Sequence, residues 1–232
     1  MSAAFDPLAI GKALPDLWTA LPVTLELAVS STLLGLGLGA LFTWARLANR
    51  PLIAPASAAL VSFLRGTPPL VQLFLVYYGL PLLLKPLGID FDGWSKLWFA
   101  IVTFSLNAAG FFSENLRAAY LAVDPGQREA ALSVGLTPFQ AFVRIVGPQA
   151  VRVALPNLGN GFIGLLKETS LAYSIGVMEL TGRAQVVAAR GYGARQLEIF
   201  IAVALIYWVV CIGLERLLVW AEARAGRSLR RD

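Results

Sequence analysis

The sequence predicts an all-α membrane protein with about five transmembrane helices, on the basis of two observations. The 232 residues are 57% hydrophobic and only 14% charged, whereas a soluble domain is about a quarter charged and less than half apolar. Several apolar stretches are also long enough for a transmembrane helix, which takes about 20 residues. An ordinary cytosolic protein is excluded, because this number of charged residues is too small to cover the surface of a soluble fold.

The composition also excludes several kinds of site. The chain has no histidine, so it has no Ser-His-Asp triad and no His-ligated metal. Its single cysteine, Cys211, can form neither an internal disulfide nor a cysteine cluster for zinc. In so apolar a chain, basic residues at a cytoplasmic face explain the net charge of +5 better than nucleic-acid binding does. We therefore expect no metal site and no nucleic-acid partner.

Five apolar stretches are predicted to form the spans, in a single transmembrane domain over residues 1–232. They cover residues 21–44, 52–84, 97–112, 155–178 and 197–219. The second is interrupted at residues 65–69, where Pro68 and Pro69 remove two backbone N–H donors. Asp6 and Asp16 stand where a signal peptide would carry basic residues, so the first stretch is predicted to remain as a span.

An odd number of spans places the two termini on opposite sides of the membrane. Most Lys and Arg residues fall on the side of the C-terminus. The positive-inside rule therefore predicts an N-terminus outside and a cytoplasmic C-terminus. Three arginines in the last external loop, Arg183, Arg190 and Arg195, weaken the asymmetry.

A pair of glycines in the first span has two interpretations. Gly35 and Gly39 are four residues apart, a small-xxx-small spacing that lets two helices approach closely in lipid. The pair marks either an interface between subunits or packing within the chain, and the second is the commoner use.

Between the third and fourth spans lies a long segment, residues 114–156, that is predicted to lie outside the bilayer. Two short helices are expected in it, each begun by a capping residue and a proline, at Asp124-Pro125 and at Thr137-Pro138. Gly135 is predicted to be the hinge between them, and Pro148 is predicted to end the second helix.

Residues in this segment carry a resemblance to a known family. They resemble the EAA loop of the permease subunits of ATP-binding-cassette (ABC) importers, and they are Glu129, Ala130, Ala131, Gly135, Phe142, Ile145 and Pro148. Gly147 stands where the pattern usually has leucine. Residues 63–72 and 166–185 resemble two further motifs of permeases for polar amino acids of the histidine, glutamine and arginine type. We call residues 114–156 the EAA loop.

The resemblance implies a function and a set of partners. The chain would form, with a second permease subunit, the pathway for uptake of a polar amino acid across a bacterial inner membrane. A dimeric cytoplasmic ATPase would bind the EAA loop and hydrolyse ATP, and an extracytoplasmic amino-acid-binding protein would deliver the substrate. The chain itself has no phosphate-binding loop, so no cofactor is expected in it.

The role of the EAA loop has alternatives. The resemblance implies that a groove on the ATPase buries the apolar face of a short helix. Glu129 would either pair with a basic group on that partner or cap the loop. The competing interpretation is a helix lying on the membrane surface, which would have a lysine-rich polar face. The loop instead mixes Glu129 with Arg128 and Arg144.

Polar residues within the spans form the candidate substrate pathway. Charges at such positions are costly, so they face a bundle interior or a water-filled cavity and usually pair. The candidates are Arg65, Thr67, Gln72, Asn107, Lys167, Glu168 and Ser170. Their alternative role is structural: an ion pair between Arg65 and Glu168, with the other groups joining the spans.

Two other functions compete with import by an ABC system. An ion-coupled secondary transporter would also place charges at the membrane midplane, but the internal inverted repeat that supports this class is not visible in the sequence. An intramembrane enzyme could use Lys167 and Glu168. It would lack histidine, a metal-binding carboxylate cluster and a second acid near Glu168.

Overall fold

The computed structural model describes residues 5–48, 50–191 and 193–227, and every regular element in these ranges is helical. The α-helices are α1 Pro7–Trp18, α2 Leu21–Leu47, α3 Ile53–Gly66, α4 Pro69–Phe74, α5 Leu80–Leu84, α6 Lys96–Leu121, α7 Pro125–Ser133, α8 Pro138–Ala141, α9 Gly147–Glu168, α10 Leu180–Arg190 and α11 Gln196–Arg227. A π-helical turn joins α4 to α5, and another joins α8 to α9. A 3₁₀ segment follows α5, and a second one, Thr169–Ile175, follows α9.

Four helical stretches are long and apolar enough to cross a membrane, judged by length and composition. They are Leu21–Leu47, Pro69–Leu87, Lys96–Leu121 and Gln196–Arg224. The predicted fourth span is α9, which has 22 residues, but polar side chains such as Asn157 and Asn160 make it less apolar than these four. The all-α fold with about five membrane helices is therefore confirmed.

The second predicted span is broken where the sequence indicated. The α3 helix ends at Gly66, Thr67 is extended with φ −110° and ψ 139°, and α4 begins at Pro69. The α3 helix is shorter than a full membrane crossing, at 14 residues. Proline in the first turn of α4 costs no hydrogen bond, because that N–H would have no helical partner.

Both π-helical turns end two residues before a proline. The turn Leu75–Gly79 precedes Pro81, and the turn Phe142–Val146 precedes Pro148. A proline has no N–H for the α-helical ladder, and the chain widens there: the N–H of Gly147 donates to the carbonyl of Phe142, five residues back. The prediction that Pro148 ends the second loop helix is wrong, because α8, the π turn and α9 form one continuous helix.

The α2 helix packs closely on α6. A Cβ built on Gly35 would lie 2.8 Å from the Cβ of Ala108, and one on Gly39 would lie 3.0 Å from the Cβ of Phe112. The Thr43 hydroxyl donates to the carbonyl of Ser113 at 2.9 Å. The glycine pair therefore packs within the chain, and its alternative use at a subunit interface is wrong.

The buried residues form two clusters. The larger one joins α2, α4, α6, α9 and the 3₁₀ segment, around Phe99, Phe104 and Phe112. The smaller one joins α1, α10 and α11, with Leu17 and Leu180 fully buried in it. The α1 helix is thus part of a packed core.

Ion pairs join α1 and its N-cap to α10 and to the turn that follows it. The Asp16 carboxylate binds both Arg183 and Arg190, and Asp6 pairs with Arg195 at 3.0 Å. All three arginines that weakened the charge asymmetry are therefore paired with aspartates of the N-terminal segment.

Candidate functional site

The first helix of the EAA loop, α7, has the predicted cap at its start. The Asp124 side chain accepts a hydrogen bond from the N–H of Gly126 at 2.7 Å, and Pro125 takes the first helical position. The first four N–H groups of an α-helix have no partner within the helix. The Asp124 side chain supplies a partner for one of them.

The second helix has a reciprocal cap. The N–H of Gln140 donates to the Thr137 hydroxyl at 3.3 Å, and the Gln140 side chain accepts from the N–H of Thr137 at 3.0 Å. This capping box satisfies two donors at once. The structure therefore confirms both helix starts of the EAA loop.

Gly135 is the hinge between these two helices. Its φ is +88°, in the left-handed region that favours glycine. The N–H of Gly135 donates to the carbonyl of Leu132 at 3.0 Å, and that of Leu136 donates to Ala131 at 3.2 Å. This pair of bonds is a Schellman motif, which ends α7 and turns the chain toward α8.

The loop exposes large apolar side chains on one face and buries small ones on the other. Val134 is 77% exposed and Phe139 is 75% exposed, with Phe142 and Val143 both at 49%. Ala131, Ala141 and Val146 are buried. Of the other motif residues, Ala130 is exposed, Ile145 is half-buried and Pro148 is exposed. The loop therefore exposes several large apolar side chains, which is typical of an interaction site.

Glu129 lies on the exposed part of α7. Its carboxylate takes part in no hydrogen bond or ion pair within the ranges that the structure covers, so it does not cap the loop. The charge is available to a group outside this chain.

Contacts between elements hold the loop against the helices that carry it. The Gln149 side chain, on α9, donates to the side chain of Gln127 on α7 at 3.2 Å. The rings of Tyr120 on α6 and Phe142 have centroids 6.3 Å apart. These two contacts join the loop to α6 and α9.

Three of the predicted pathway residues form one buried network at the break between α3 and α4. The Gln72 amide donates to the carbonyl of Leu64 at 2.7 Å and to the Thr67 hydroxyl at 2.6 Å. The Asn107 amide on α6 donates to the Gln72 side-chain oxygen at 3.2 Å. The network satisfies backbone groups that the break leaves free, which is how broken helices persist in membranes.

The remaining predicted residues lie apart from this network. Arg65 is exposed, with its guanidinium 5.7 Å from the centroid of the Phe111 ring. Lys167 is exposed, Glu168 is half-buried, and the Ser170 hydroxyl donates to the carbonyl of Lys167 at 2.8 Å. The predicted ion pair between Arg65 and Glu168 is wrong: both residues are described, and neither takes part in an ion pair.

Two carboxylates with structural roles were not among the predicted site residues. Glu114, on α6, pairs with Arg46 on α2, and this ion pair joins the two helices. Glu114 also pairs with Arg117 of its own helix at 2.8 Å. Glu179 is fully buried at the start of α10. Glu179 belongs to a segment that carries the family resemblance, but its burial follows from packing between distant parts of the chain, which the sequence does not display.

Glu179 and the backbone of Leu180 connect α10 to α11 and α2. Its two oxygens accept from the N–H groups of Thr181 and Gly182, each at 2.8 Å, and the hydroxyl of Tyr207 on α11 donates to it at 3.3 Å. The next N–H, of Leu180, donates to the Thr24 hydroxyl on α2 at 3.0 Å. Burial raises the pKa of the Glu179 carboxyl to about 7, although the two backbone hydrogen bonds act to lower it.

Comparison with known proteins gives consistent matches over most of the chain. The family model described as the inner membrane component of binding-protein-dependent transport systems matches residues 31–227. An L-cystine transport system permease protein of Bacillus subtilis (strain 168) is 42% identical over 231 residues, which cover 100% of this chain and 96% of that protein. A glutamine transport system permease protein of Escherichia coli (strain K12) is 34% identical over 220 residues, which cover 95% of this chain and 97% of that protein.

Solved structures match as well. A chain in the crystal structure of an amino acid ABC transporter with histidines superposes with a TM-score of 0.84 at 32% identity, covering 96% of this chain and 100% of that chain. A chain of the inward-facing MetNI methionine ABC transporter superposes with a TM-score of 0.69 at 21% identity, covering 91% of this chain and 94% of that one. The second match is a likeness of fold alone.

Proposed function

Since the chain belongs to the family of inner membrane components of binding-protein-dependent transport systems, we propose that it forms, with a second permease subunit, the pathway through which an ABC importer takes up a polar amino acid. The chain is a transport permease and not an enzyme. The ion-coupled alternative is not favoured, because the relatives are permeases of transport systems of this family.

Membership of the family implies three kinds of partner: an ATPase, a second permease and a substrate-binding protein. We propose that the ATPase is a dimer at the cytoplasmic face. The second permease is either a copy of this chain or a similar subunit, because five spans are too few to enclose an alternating-access pathway alone.

The identity of the relatives supports an amino acid as the substrate. Two relatives are named for L-cystine and glutamine transport, and one solved neighbour is an amino acid transporter with histidines. These ligands share an α-ammonium and an α-carboxylate. Binding both groups takes residues of both signs, and the chain carries Arg65, Lys167 and Glu168 near its broken helices.

The orientation belongs to the same proposal. We place the N-terminus outside and the C-terminus in the cytoplasm of a bacterial cell, with the EAA loop at the cytoplasmic face of the inner membrane. The excess of Lys and Arg residues on the side of the C-terminus supports it, because cytoplasmic loops are enriched in these residues.

The exposed apolar face of the EAA loop is the observation that carries the proposal. A preformed helix pair with Val134 and Phe139 in contact with solvent needs a partner that buries them. We assign the contact with the ATPase to Glu129, Ala130, Ala131, Gly135, Phe142, Ile145 and Pro148, with Glu129 pairing a basic group on the ATPase.

Substitutions in this loop test the coupling to the ATPase. Gly135→Asp adds a charged side chain at a left-handed backbone position between the two loop helices and is expected to abolish substrate-stimulated ATP hydrolysis while the permease still inserts. Glu129→Lys is expected to do the same by reversing a charge. Gly193 has a φ of +76° and open space around it in the turn before α11, so Gly193→Asp carries a similar strain and is the matched control. Full stimulation in both loop variants would contradict the assignment.

For the substrate pathway we propose two groups with different duties. Arg65, Lys167, Glu168 and Ser170 face the path, because none of the three charged groups has an ion-pair partner in the described ranges. Thr67, Gln72 and Asn107 form the wall of the path at the helix break, where their mutual hydrogen bonds hold α3, α4 and α6 together.

Two variants separate these duties in reconstituted complexes. Glu168→Gln is expected to change which amino acids stimulate ATP hydrolysis, with assembly intact, because it removes a charge without removing volume. Gln72→Ala is expected to lower the yield of assembled complex, because it leaves buried polar groups unpaired at a cost of about 1–3 kcal/mol each. A loss of assembly in Glu168→Gln, with unchanged substrate preference, would assign Glu168 to structure.

A further inference from the structure

An open cleft of about 370 Å³ lies at the end of the structure formed by α5, the 3₁₀ turn Lys85–Leu87 and the first turn of α6. It is separate from the EAA loop and from the network at the helix break. The residues that line it are Tyr77, Pro81, Leu82, Lys85, Ile89, Asp90, Phe91, Asp92, Trp94, Lys96 and Phe99. Its volume is in the range of sites for small molecules.

Aromatic rings form one wall of the cleft. The Phe91 ring lies edge-on to Trp94 with centroids 4.9 Å apart, and Tyr77 lies edge-on to Phe99 at 5.3 Å. Phe99 also contacts Phe91 and Trp94, at 5.9 and 5.8 Å, so the four rings form one cluster. Phe99 is buried in the larger core, which holds the wall in place.

Two lysines and two aspartates surround this wall. Lys85, Lys96, Asp90 and Asp92 are all exposed and line the same cleft. None of the four takes part in an ion pair within the described ranges, although each sign is present twice. One Asp90 oxygen accepts the N–H of Asp92 at 3.0 Å, which fixes the turn that carries both carboxylates. Charges of both signs thus remain available to a ligand.

Lys96 connects the cleft to the candidate pathway. A Cβ built on Gly176 would lie 2.7 Å from the Lys96 ammonium nitrogen, so this charge lies beside the C-terminal end of the 3₁₀ segment Thr169–Ile175. That segment directly follows Lys167 and Glu168. A ligand held by Lys96 would be next to the segment that leads into the membrane.

We propose that this cleft is an outer binding site for the zwitterionic α-amino-acid group, occupied before the substrate enters the pathway. Asp90 and Asp92 bind the α-ammonium, which also contacts the faces of the aromatic rings. Lys85 and Lys96 bind the α-carboxylate. A purely cationic ligand would leave the lysines unused, and a purely anionic one would leave the aspartates unused. The inference rests on the proposed amino-acid import.

Weak binding to the assembled permease–ATPase complex tests the site, without the binding protein. The complex is placed in lipid nanodiscs, and saturation-transfer NMR measures binding of three probes: L-glutamine, N-acetyl-L-glutamine, which lacks the ammonium, and L-glutamine methyl ester, which lacks the carboxylate. Only the zwitterion is expected to bind fully, and each modified probe is expected to bind about tenfold more weakly.

Charge-neutralising variants assign each half of the site. Lys85→Gln/Lys96→Gln is expected to weaken glutamine binding about tenfold and to leave the methyl ester unchanged. Asp90→Asn/Asp92→Asn is expected to weaken glutamine and to leave the N-acetyl probe unchanged. Lys12→Gln, at an exposed lysine of α1 away from the cleft, is the control for the lysine variant and is expected to bind glutamine as the wild type does.

Each outcome decides the inference. Equal binding of glutamine to wild-type and quadruple-variant complexes would overturn it. So would variants that bind glutamine normally but lose stimulation of the ATPase by the loaded binding protein, since the charges would then serve protein docking. ATP-driven uptake by the wild-type complex is measured in parallel. If uptake fails the proposed function fails, whereas normal uptake with unaltered binding in the variants removes the cleft site alone.

Discussion

Glu179 is a buried carboxyl group that connects α10 and α11, at a position that the sequence alone does not distinguish from a surface helix cap. Its exposed fraction is 0%, and its oxygens accept two backbone N–H groups and the Tyr207 hydroxyl. Local signals such as the caps at Asp124 and Thr137 are readable because both partners lie within a few residues. The partners of Glu179 on other helices are set by packing, as is the absence of an Arg65–Glu168 pair.

The raised pKa of Glu179 gives stability a pH dependence. Between the ordinary value of 4.5 and about 7, the folded protein holds a proton that the unfolded chain has lost. The contribution of Glu179 to stability is therefore largest below the lower value and falls as the pH rises toward the upper one, by about 3 kcal/mol at most. We expect the melting temperature in detergent to fall from pH 5 to pH 8 more steeply in the wild type than in Glu179→Gln. Parallel curves for the two proteins would contradict this account.

At the scale of elements, hydropathy and spacing predict the long helices, because crossing a bilayer requires both length and apolar composition. The helix break at residues 65–69 follows from its prolines. The sequence does not predict the course of the chain at Pro148, because a proline can either end a helix or occupy its first turn. The structure has the second arrangement, reached through a π turn. The use of Gly35 also depended on a contact with α6 that sequence spacing leaves open.

The close approach of α2 to α6 makes a sharp prediction for two glycines of one helix. Gly35→Ala is expected to destabilise the permease by about 1–3 kcal/mol, because the added carbon would lie 2.8 Å from the Ala108 Cβ and 3.0 Å from the Ser105 carbonyl oxygen. Gly37 has nothing within 4 Å of such a carbon, so Gly37→Ala is expected to be neutral or slightly stabilising. Melting temperatures of the two variants, purified side by side, provide the measurement. Equal losses would show that the contact does not limit the packing.

At the scale of the whole molecule, the structure has two surfaces whose side chains lack partners within the described residues, in addition to its packed core. The EAA loop exposes apolar side chains at one surface, and the cleft at Lys96 presents unpaired charges at another. Tyr120 and Gln149 link the loop to α6 and α9, and both helices belong to the larger core. We propose that energy from ATP hydrolysis by the partner ATPase reaches the pathway through this linkage, since this chain has no phosphate-binding loop of its own.

Amino-acid uptake into proteoliposomes tests the central claim most directly. The permease is reconstituted with its ATPase and the loaded binding protein, and uptake of a panel of labelled amino acids is followed with and without ATP on the ATPase side. We predict uptake of a polar amino acid that requires ATP and the binding protein, that persists when ion gradients are dissipated, and that Gly135→Asp abolishes but Gly193→Asp preserves. Uptake by this chain alone, driven by a proton or sodium gradient and indifferent to ATP, would contradict the account.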